Sequence, residues 1–547
     1  MSLAITYNDG TEQRIYAFYV SLGELRVCYK EASQWKHAFL GQPPGTKALG
    51  QPNVVTYRQR TDAHQQIVAF VRGANGHLYA NQWNGSEWIW VNQGSPSGTT
   101  LAVAPADDAS LAPDESQPSV ITFRESIEDQ RIYVFAQGAN GRLYVNYRKM
   151  SQWAWSDLGP PPPIPAEMIV PLFRLYNAGT GDHFYTISAS ERDYAVSEAG
   201  YNDEGTACLV FKDYVPCSFP LFRLYNAGTG DHFYTISASE RDYAVSEAGY
   251  NDEGTACFVY MFGGDNELLR LYNPTSGDHF YTTSQDEDSS ASFQGYRHEE
   301  VACMLPSDVQ RIPTADFTPG AITYRENTQR LYAFLRGNIP QDFDGGHNCH
   351  LYLKYWNGTQ WKWRDQGVPP GTTAVFGQPG VVTYREGAQP EQIHAFICAG
   401  IPKYFGGQNI LDYQIRLYVN HWNGSDWEWR DQGAPPTKYT DNLPHFEPEV
   451  LTFRDGTEPQ RIYAFVKRRG DDHIWVNFGK ASQMGWADLG SPLGLINLAG
   501  RLGAITFRTD TKPREIYVFA MGWNGAGDQL SAVHWDGLQW KWQVLPS

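Results

Sequence analysis

Short runs of alternating apolar and polar residues recur seven times along the chain, always in one order. A Thr-Tyr/Phe-Arg run comes first, then Arg-Ile-Tyr-Ala-Phe, then Leu-Tyr-Val-Asn, then a tryptophan-rich run that closes on Gly-x-Pro-Pro. The clearest copy is Val382-Thr383-Tyr384-Arg385, Ile393-His394-Ala395-Phe396, Leu417 to Trp422, Trp427-Glu428-Trp429 and Gly433-Ala434-Pro435-Pro436. Alternation of period two sends successive side chains to opposite faces, so each run reads as a strand, and Trp-x-Trp puts both indoles on one face. Four short strands per repeat, at a period of roughly 45 to 50 residues, predict an all-β, seven-bladed β-propeller of four-stranded blades. The repeats begin near Ile5, Val54, Val120, Ile322, Val381, Val450 and Ala504, and only the step from the third to the fourth is long.

The fourth strand sorts the blades into two kinds. Blades 2, 4, 5 and 7 carry Trp-x-Gly-x-x-Trp-x-Trp, running from Trp83 to Trp90, Trp356 to Trp363, Trp422 to Trp429 and Trp535 to Trp542. Blades 1, 3 and 6 have a Ser-Gln version instead, at Ser33-Gln34, Ser151-Gln152 and Ser482-Gln483. Two classes of site are therefore expected on or between blades. Blade 1 is the most eroded, with Asn8 and His37 where others have Arg and Trp.

Between Pro160–Pro165 and the irregular Pro306–Pro319 lies a different repeat. Pro171 to Cys208 recurs without one change as Pro220 to Cys257, and a diverged third copy runs from Leu269 to Cys303. Such units are too short to bury a core singly, so three of them predict closure about a pseudo-threefold axis, with a β-trefoil as first choice. The expected division is 1–163 for blades 1 to 3, 164–312 for the insert and 313–547 for blades 4 to 7.

Composition narrows the function classes. A net charge of -17 with no Lys/Arg cluster argues against a nucleic-acid partner. No apolar run is long enough for membrane insertion, and the N-terminus lacks a basic and apolar leader, so the chain reads as cytoplasmic, with release on damage as its way out. Seven scattered cysteines without Cys-x-x-Cys pairs indicate neither a disulfide framework nor a zinc ribbon. The Asn-Gly-Ser/Thr sequons at Asn84, Asn357 and Asn423 fall in one repeated turn and read as tight hairpin loops.

A sugar binds by laying its C–H face on an aromatic ring while planar polar groups meet its hydroxyls. Trp83, Trp356, Trp422 and Trp535, beside the Asn-Gly or Asp-Gly turn, and Trp90, Trp363, Trp429 and Trp542 in the same strands are candidate platforms; alternatively the indoles fill contacts between blades. Arg58, Arg325, Arg385 and Arg508, which repeat after the first strand, either meet hydroxyls or pair with the Asp of Asp-Gln-Gly or Asp-Leu-Gly in a neighbouring blade. In the insert the candidates are Asn177, Asp182, His183 and Tyr185, then Asn226, Asp231, His232 and Tyr234, then Asn273, Asp278, His279 and Tyr281. They form one hydroxyl pocket per unit, or else His caps the turn and Tyr packs between units. One His and one Asp per unit are too few ligands for a metal unless units share an ion. Cys208, Cys257 and Cys303, at equivalent positions, read as small buried hydrophobes. No paired-carboxylate, Gly-x-Ser-x-Gly, His-Glu-x-x-His or phosphate-loop pattern occurs, so no catalytic residue and no cofactor is assigned.

The seven repeats resemble the PLL-like family of propeller lectins over about 1–163 and 313–547. Gln460 to Phe465, Gly73 to Tyr79, Asn423 to Trp429 and Asp431 to Pro436 carry the likeness. The resemblance implies monosaccharide pockets around the ring, for L-fucose and O-methylated sugars, without enzymatic activity. The insert is similar to Arg-Leu-Tyr-Asn…His-Phe-Tyr-Thr modules of uncharacterised function, through Arg174 to Asn177, Gly181 to Thr186 and Ala199 to Tyr201. The expectation is a multivalent lectin, an agglutinin of defence, whose partners are glycans on cell surfaces or glycoproteins; homo-oligomer formation stays open. A protein-interaction scaffold and a propeller glycosidase are the rival classes.

Overall fold

The computed structural model describes residues 3–8, 13–31, 34–58, 65–102, 117–123, 130–149, 152–161, 166–215, 218–260, 266–306, 314–325, 329–338, 349–372, 374–385, 390–405, 408–436, 447–454, 459–467, 472–492, 495–507 and 515–546. Seven antiparallel four-stranded sheets are drawn by the seven repeats, each with its strands in sequence order. First strands of consecutive blades pack on one another in an unbroken circuit, and that of blade 7 meets that of blade 1, so the chain is a closed seven-bladed propeller. Around this inner circle backbones come close: a Cβ at Gly320 or Gly380 would sit 2.3 or 2.2 Å from the carbonyl oxygen of Pro379 or Pro448. Every blade comes from one contiguous stretch, from Ala4–Gly41 for blade 1 to Asn497–Val544 for blade 7, so no terminal strand crosses into the other end's blade.

Blades adhere through aromatic rings. The second strand alternates, so Phe18 of blade 1 faces blade 2 and meets the edge of Trp88 at 5.7 Å. The pairing repeats as Trp361 on Phe135 (6.0 Å), Trp427 on Phe334 (5.4 Å) and Trp540 on Phe465 (5.9 Å). Trp153 on Phe70 and Trp35 on Phe519 do the same in the Ser-Gln blades. Each such edge-to-face pair adds about 0.5 to 1.5 kcal/mol beyond burial of its area.

The insert is built differently from the trefoil expected. A trefoil's units are strands throughout, whereas each unit here runs strand, strand, helix, strand. Unit 1 is Ile169–Asn177, Asp182–Thr186, α1 (Ala189–Glu198) and Asn202–Phe211. Unit 2 is Ser218–Asn226, Asp231–Thr235, α2 (Ala238–Glu247) and Asn251–Tyr260; unit 3 is Asn266–Asn273, Asp278–Thr282, α3 (Gln285–Phe293) and Arg297–Leu305. The physical reason is an N-cap: Ser188, Ser237 and Ser284 each accept the N–H of the glutamate three residues on, at 3.2 Å, while their own N–H groups donate to Thr186, Thr235 and Thr282. Gly200, Gly249 and Gly295, all at positive φ, end the helices. The final strands of the units touch at single pairs, Phe211 with Phe258 and Tyr260 with Met304. Among the described residues no helix is long and apolar enough to cross a membrane.

Candidate functional site

The first and third strands of a blade end where the second and fourth begin, so one end of the ring gathers the first-strand arginines and the tryptophan hairpins. There Trp83, Trp356, Trp422 and Trp535 each sit opposite the first indole of their own Trp-x-Trp, with ring centroids 5.5 to 5.7 Å apart. All eight rings are half-buried. The turn joining them is pinned by its first side chain. Asn84 Oδ1 accepts from Ser86 N and Glu87 N, and Asn357, Asn423 and Asp536 repeat the arrangement at 2.9 to 3.0 Å. These loops span four residues, as Asn84 to Glu87, and not the two that Asn-Gly suggested, because the Asn side chain closes an Asx turn around the glycine by taking the N–H groups of Ser86 and Glu87.

The second tryptophan of each pair has another task. Trp90 Nε1 donates to Leu40 O, Trp363 to Leu158 O, Trp429 to Gln366 O and Trp542 to Leu489 O, at 2.6 to 3.2 Å. Trp155 and Trp486 tie blades 3 and 6 to their predecessors likewise. These indoles, expected as sugar platforms, therefore fasten a blade to the last strand of the one before it. Blade 1 has His37 there, bonded to Tyr19 of its own blade, and the junction of blades 7 and 1 is held instead by Cys28 Sγ to Pro546 O (3.0 Å) and Lys30 Nζ to Tyr517 Oη (2.6 Å).

Arg58 and Arg385 lie exposed on the same end of the ring, their backbone N–H groups bonded to Gln130 and Gln460 of the following blades. Arg508 and the side chain of Arg325 lie outside the described residues. The aspartates expected to pair with these arginines across blades are used within their own blades and at the opposite end: Asp157 binds Arg142, Asp431 binds Arg416 and Asp365 binds His350.

In the insert the candidate residues are brought together, but between units. Asp278 accepts the backbone N–H of His183 (2.8 Å), faces its Nδ1 (2.7 Å) and accepts Tyr296 Oη (2.5 Å). Asp182 serves His232 and Tyr201, and Asp231 serves His279 and Tyr250, closing a cycle. Carboxylate oxygens of the three aspartates lie within 4.8 Å of one another, each aspartate taking three donors. Tyr185 Oη donates to Tyr281 O (2.7 Å) and accepts Tyr281 N–H (2.8 Å); Tyr234 and Tyr281 repeat this around the axis, and burial pushes all three phenols well above their ordinary range. Asn177, Asn226 and Asn273 bond the carbonyl ending their own helices and the turn that follows them. The pocket expected within each unit is thus replaced by contacts that hold the units together. Missed at first reading were Arg174, Arg223 and Arg270, which make paired bonds to Glu287, Glu191 and Glu240 of neighbouring units. Their signal was the Arg that opens each Arg-Leu-Tyr-Asn.

A family model described as a domain of unknown function, DUF5648, matches residues 171–306. A search of curated proteins finds no match. Among solved structures, the chain is similar at 10% identity to AofleA from Arthrobotrys oligospora (TM-score 0.38, 93% of this chain and 91% of that one). It is similar, also at 10%, to the six-bladed, fucose-recognising lectin of Aleuria aurantia (TM-score 0.36, 92% and 97%). A GH93 α-L-arabinofuranosidase of Fusarium graminearum is similar at 10% (TM-score 0.39, 90% and 95%). Likenesses this slight fix no chemistry.

Proposed function

We propose that the protein is a multivalent, non-catalytic lectin that takes L-fucose and O-methylated sugars from glycans on cell surfaces or glycoproteins. The observation that carries the reading is the fourfold repetition, at one end of the ring, of a half-buried indole pair held by a pinned turn. Such a pair offers an apolar, partly wet surface to the C–H face of a sugar, and a 6-deoxy or O-methyl group enlarges that contact. A catalytic centre departs from the repeat at one place; this feature keeps it. Single pockets of about millimolar affinity, roughly -4 kcal/mol, reach useful strength through avidity gains of about 10² to 10⁴.

The test is a glycan array of the intact protein, with fucosylated and O-methylated glycans present and free L-fucose as competitor. Competed binding supports the lectin. A blank array, or binding that free sugars leave untouched, ends it and turns attention to polypeptide partners.

A further inference from the structure

We propose that the ring carries four such sites and not seven, that each is divided between two blades, and that an arginine of the preceding blade sets what it binds. This rests on the lectin reading. In a propeller the face of a hairpin looks at the blade before it: Trp83, Trp88 and Trp90 pack with Tyr7, Tyr16 and Phe18 of blade 1. The blades lying before the four tryptophan hairpins are blades 1, 3, 4 and 6, and they share two features that the hairpins' own blades do not explain.

First, their second strands carry Arg14, Arg131, Arg330 and Arg461 at one equivalent position at or next to the strand start, opposite Tyr7, Phe123, Tyr324 and Phe453. At that position blades 2, 5 and 7 have Gln66, Gln392 and Glu515. Second, two residues on, the same four strands carry the first ring of a stacked pair. These are Tyr16 on Tyr29 (5.5 Å, 14°), Tyr133 on Tyr147 (5.8 Å, 14°), Tyr332 on Tyr355 (6.0 Å, 12°) and Tyr463 on Phe478 (5.5 Å, 17°). Residues two apart share a face, so arginine and ring stack look toward the following blade's indoles together. Blade 2 has Val68 and Gln82 there, whereas blades 5 and 7 stack His394 on His421 (5.5 Å, 29°) and Tyr517 on His534 (4.2 Å, 12°), so the arginine, and not the ring stack, is what separates the four blades.

The three remaining junctions have no indole at the position of Trp83. Arg148 of blade 3 reaches across instead and donates to Tyr57 Oη of blade 2 (2.6 Å), while Lys30 of blade 1 does so to Tyr517 of blade 7 (2.6 Å). Blade 6 has Gly479, where a Cβ would sit 2.2 Å from Gln483 O. In all seven junctions, then, the hairpin's tryptophan goes with an arginine in the preceding blade, and its replacement goes with glutamine or glutamate. Arg14 also pairs with Glu31 of its own blade at 3.4 Å, so the site rests on the joint occurrence of indole and arginine and not on an unpaired charge.

The chemistry of the pair specifies a ligand. Indoles take a C–H or methyl face, and a planar guanidinium donates to two neighbouring oxygens at once. The site therefore fits a neutral 6-deoxy or O-methylated monosaccharide that presents vicinal hydroxyls away from its apolar side.

Crystals of the whole protein soaked in methyl α-L-fucoside, with calorimetric titration of the same sugar, test this. Sugar is expected at the four tryptophan junctions and at none of the other three. Changing Arg14, Arg131, Arg330 and Arg461 to Gln together should weaken titrated binding more than 10-fold while the melting temperature moves by a few degrees. The four Arg→Lys changes, which keep charge and packing but lose the planar fork, should weaken it as well. Sugar bound at other places, or full binding by both sets of variants, overturns the inference and leaves the lectin standing; no binding of any sugar by the unaltered protein overturns the lectin and this with it. As a gain of function, Gln66→Arg with Arg148→Trp should add sugar at the junction of blades 2 and 3.

Discussion

The propeller and its insert are both closed rings of repeats, yet they close by opposite means. In the insert each repeated polar group finds its partner in the next unit: Asp to His, Tyr hydroxyl to backbone, Arg to Glu. In the propeller the blades are joined mainly by ring edges and, at six of the seven junctions, by an indole N–H, and the outer indole pair keeps part of its surface in water. The lesson is that repetition of a polar motif does not mark a binding site. Three short units share one apolar cluster around their axis, with Tyr185, Tyr234 and Tyr281 edge to face, and the polar residues around it add to the same cohesion. A sevenfold ring with large sheets coheres through aromatic area and has residues to spare at its rim.

If that contrast is right, the largest effects belong to the insert. Asp278→Ala leaves His183 N–H, His183 Nδ1 and Tyr296 Oη without an acceptor in a buried place, and should destabilise the insert by about 3 to 5 kcal/mol. Calorimetry of the full chain should show this as a lowered transition with sugar binding by the propeller kept. A loss below about 1 kcal/mol would break the comparison, since the cycle would then be ornamental.

Propeller junctions should give smaller effects and, at one place, a gain. Lys354 occupies the strand position of Asn81 and Asn420, buried between blades 3 and 4 with its ammonium 4.6 Å from the ring of Trp363. Burial lowers it from 10.5 to about 8. The unfolded chain holds this proton up to its own higher value, so folding is penalised in full below about pH 8 and the penalty disappears as pH rises toward about 10.5. Lys354→Met should therefore stabilise by about 2 kcal/mol at pH 7 and by much less at pH 10, read from melting curves at both values. An equal gain at both would mean that packing, and not charge, is responsible.

Removing one clip should cost less still. Trp429→Phe keeps most of the ring and loses the bond to Gln366 O, a loss of about 1 kcal/mol in chemical denaturation. A cost above about 3 kcal/mol would mean that single clips carry the ring, contrary to the shared aromatic cohesion argued here.

How far the sequence speaks follows from where each contact lies along the chain. Strands and blades are legible because their period-two pattern is local, and Trp-x-Trp announces a one-faced strand by itself. The helices have a local signal too, in Ser188-Ala-Ser-Glu191 and the glycine at 200, which threefold repetition, suggesting strands alone, obscures. What Asp182 or Trp90 does was not legible, because its partner lies one unit away: Asp182 meets His232 and Trp90 meets Leu40. The second-strand arginines become visible only when each repeat is compared with the hairpin of the one after it.

The smallest effect asks whether the insert's diverged third unit has kept a contact or lost it. In units 1 and 2, Arg192 and Arg241 lie over Phe173 and Phe222 and near Asp203 and Asp252 (3.7 and 3.8 Å). In unit 3 both members differ, and Asp288 faces His298 at 3.4 Å. The acidic and basic residues have changed places across one contact, as expected of a structural pair and not of a ligand-binding arginine. Arg192→Asp alone should cost about 0.5 to 1 kcal/mol by removing the ion pair to Asp193 (2.7 Å) and setting a third carboxylate beside Asp193 and Asp203. Adding Asp203→His should recover most of it below about pH 6, where the imidazole is charged, and less at pH 8. A double variant no better than the single one at either pH would mean that the third unit's exchange is drift, and that the arginine of the first two units is kept for another purpose.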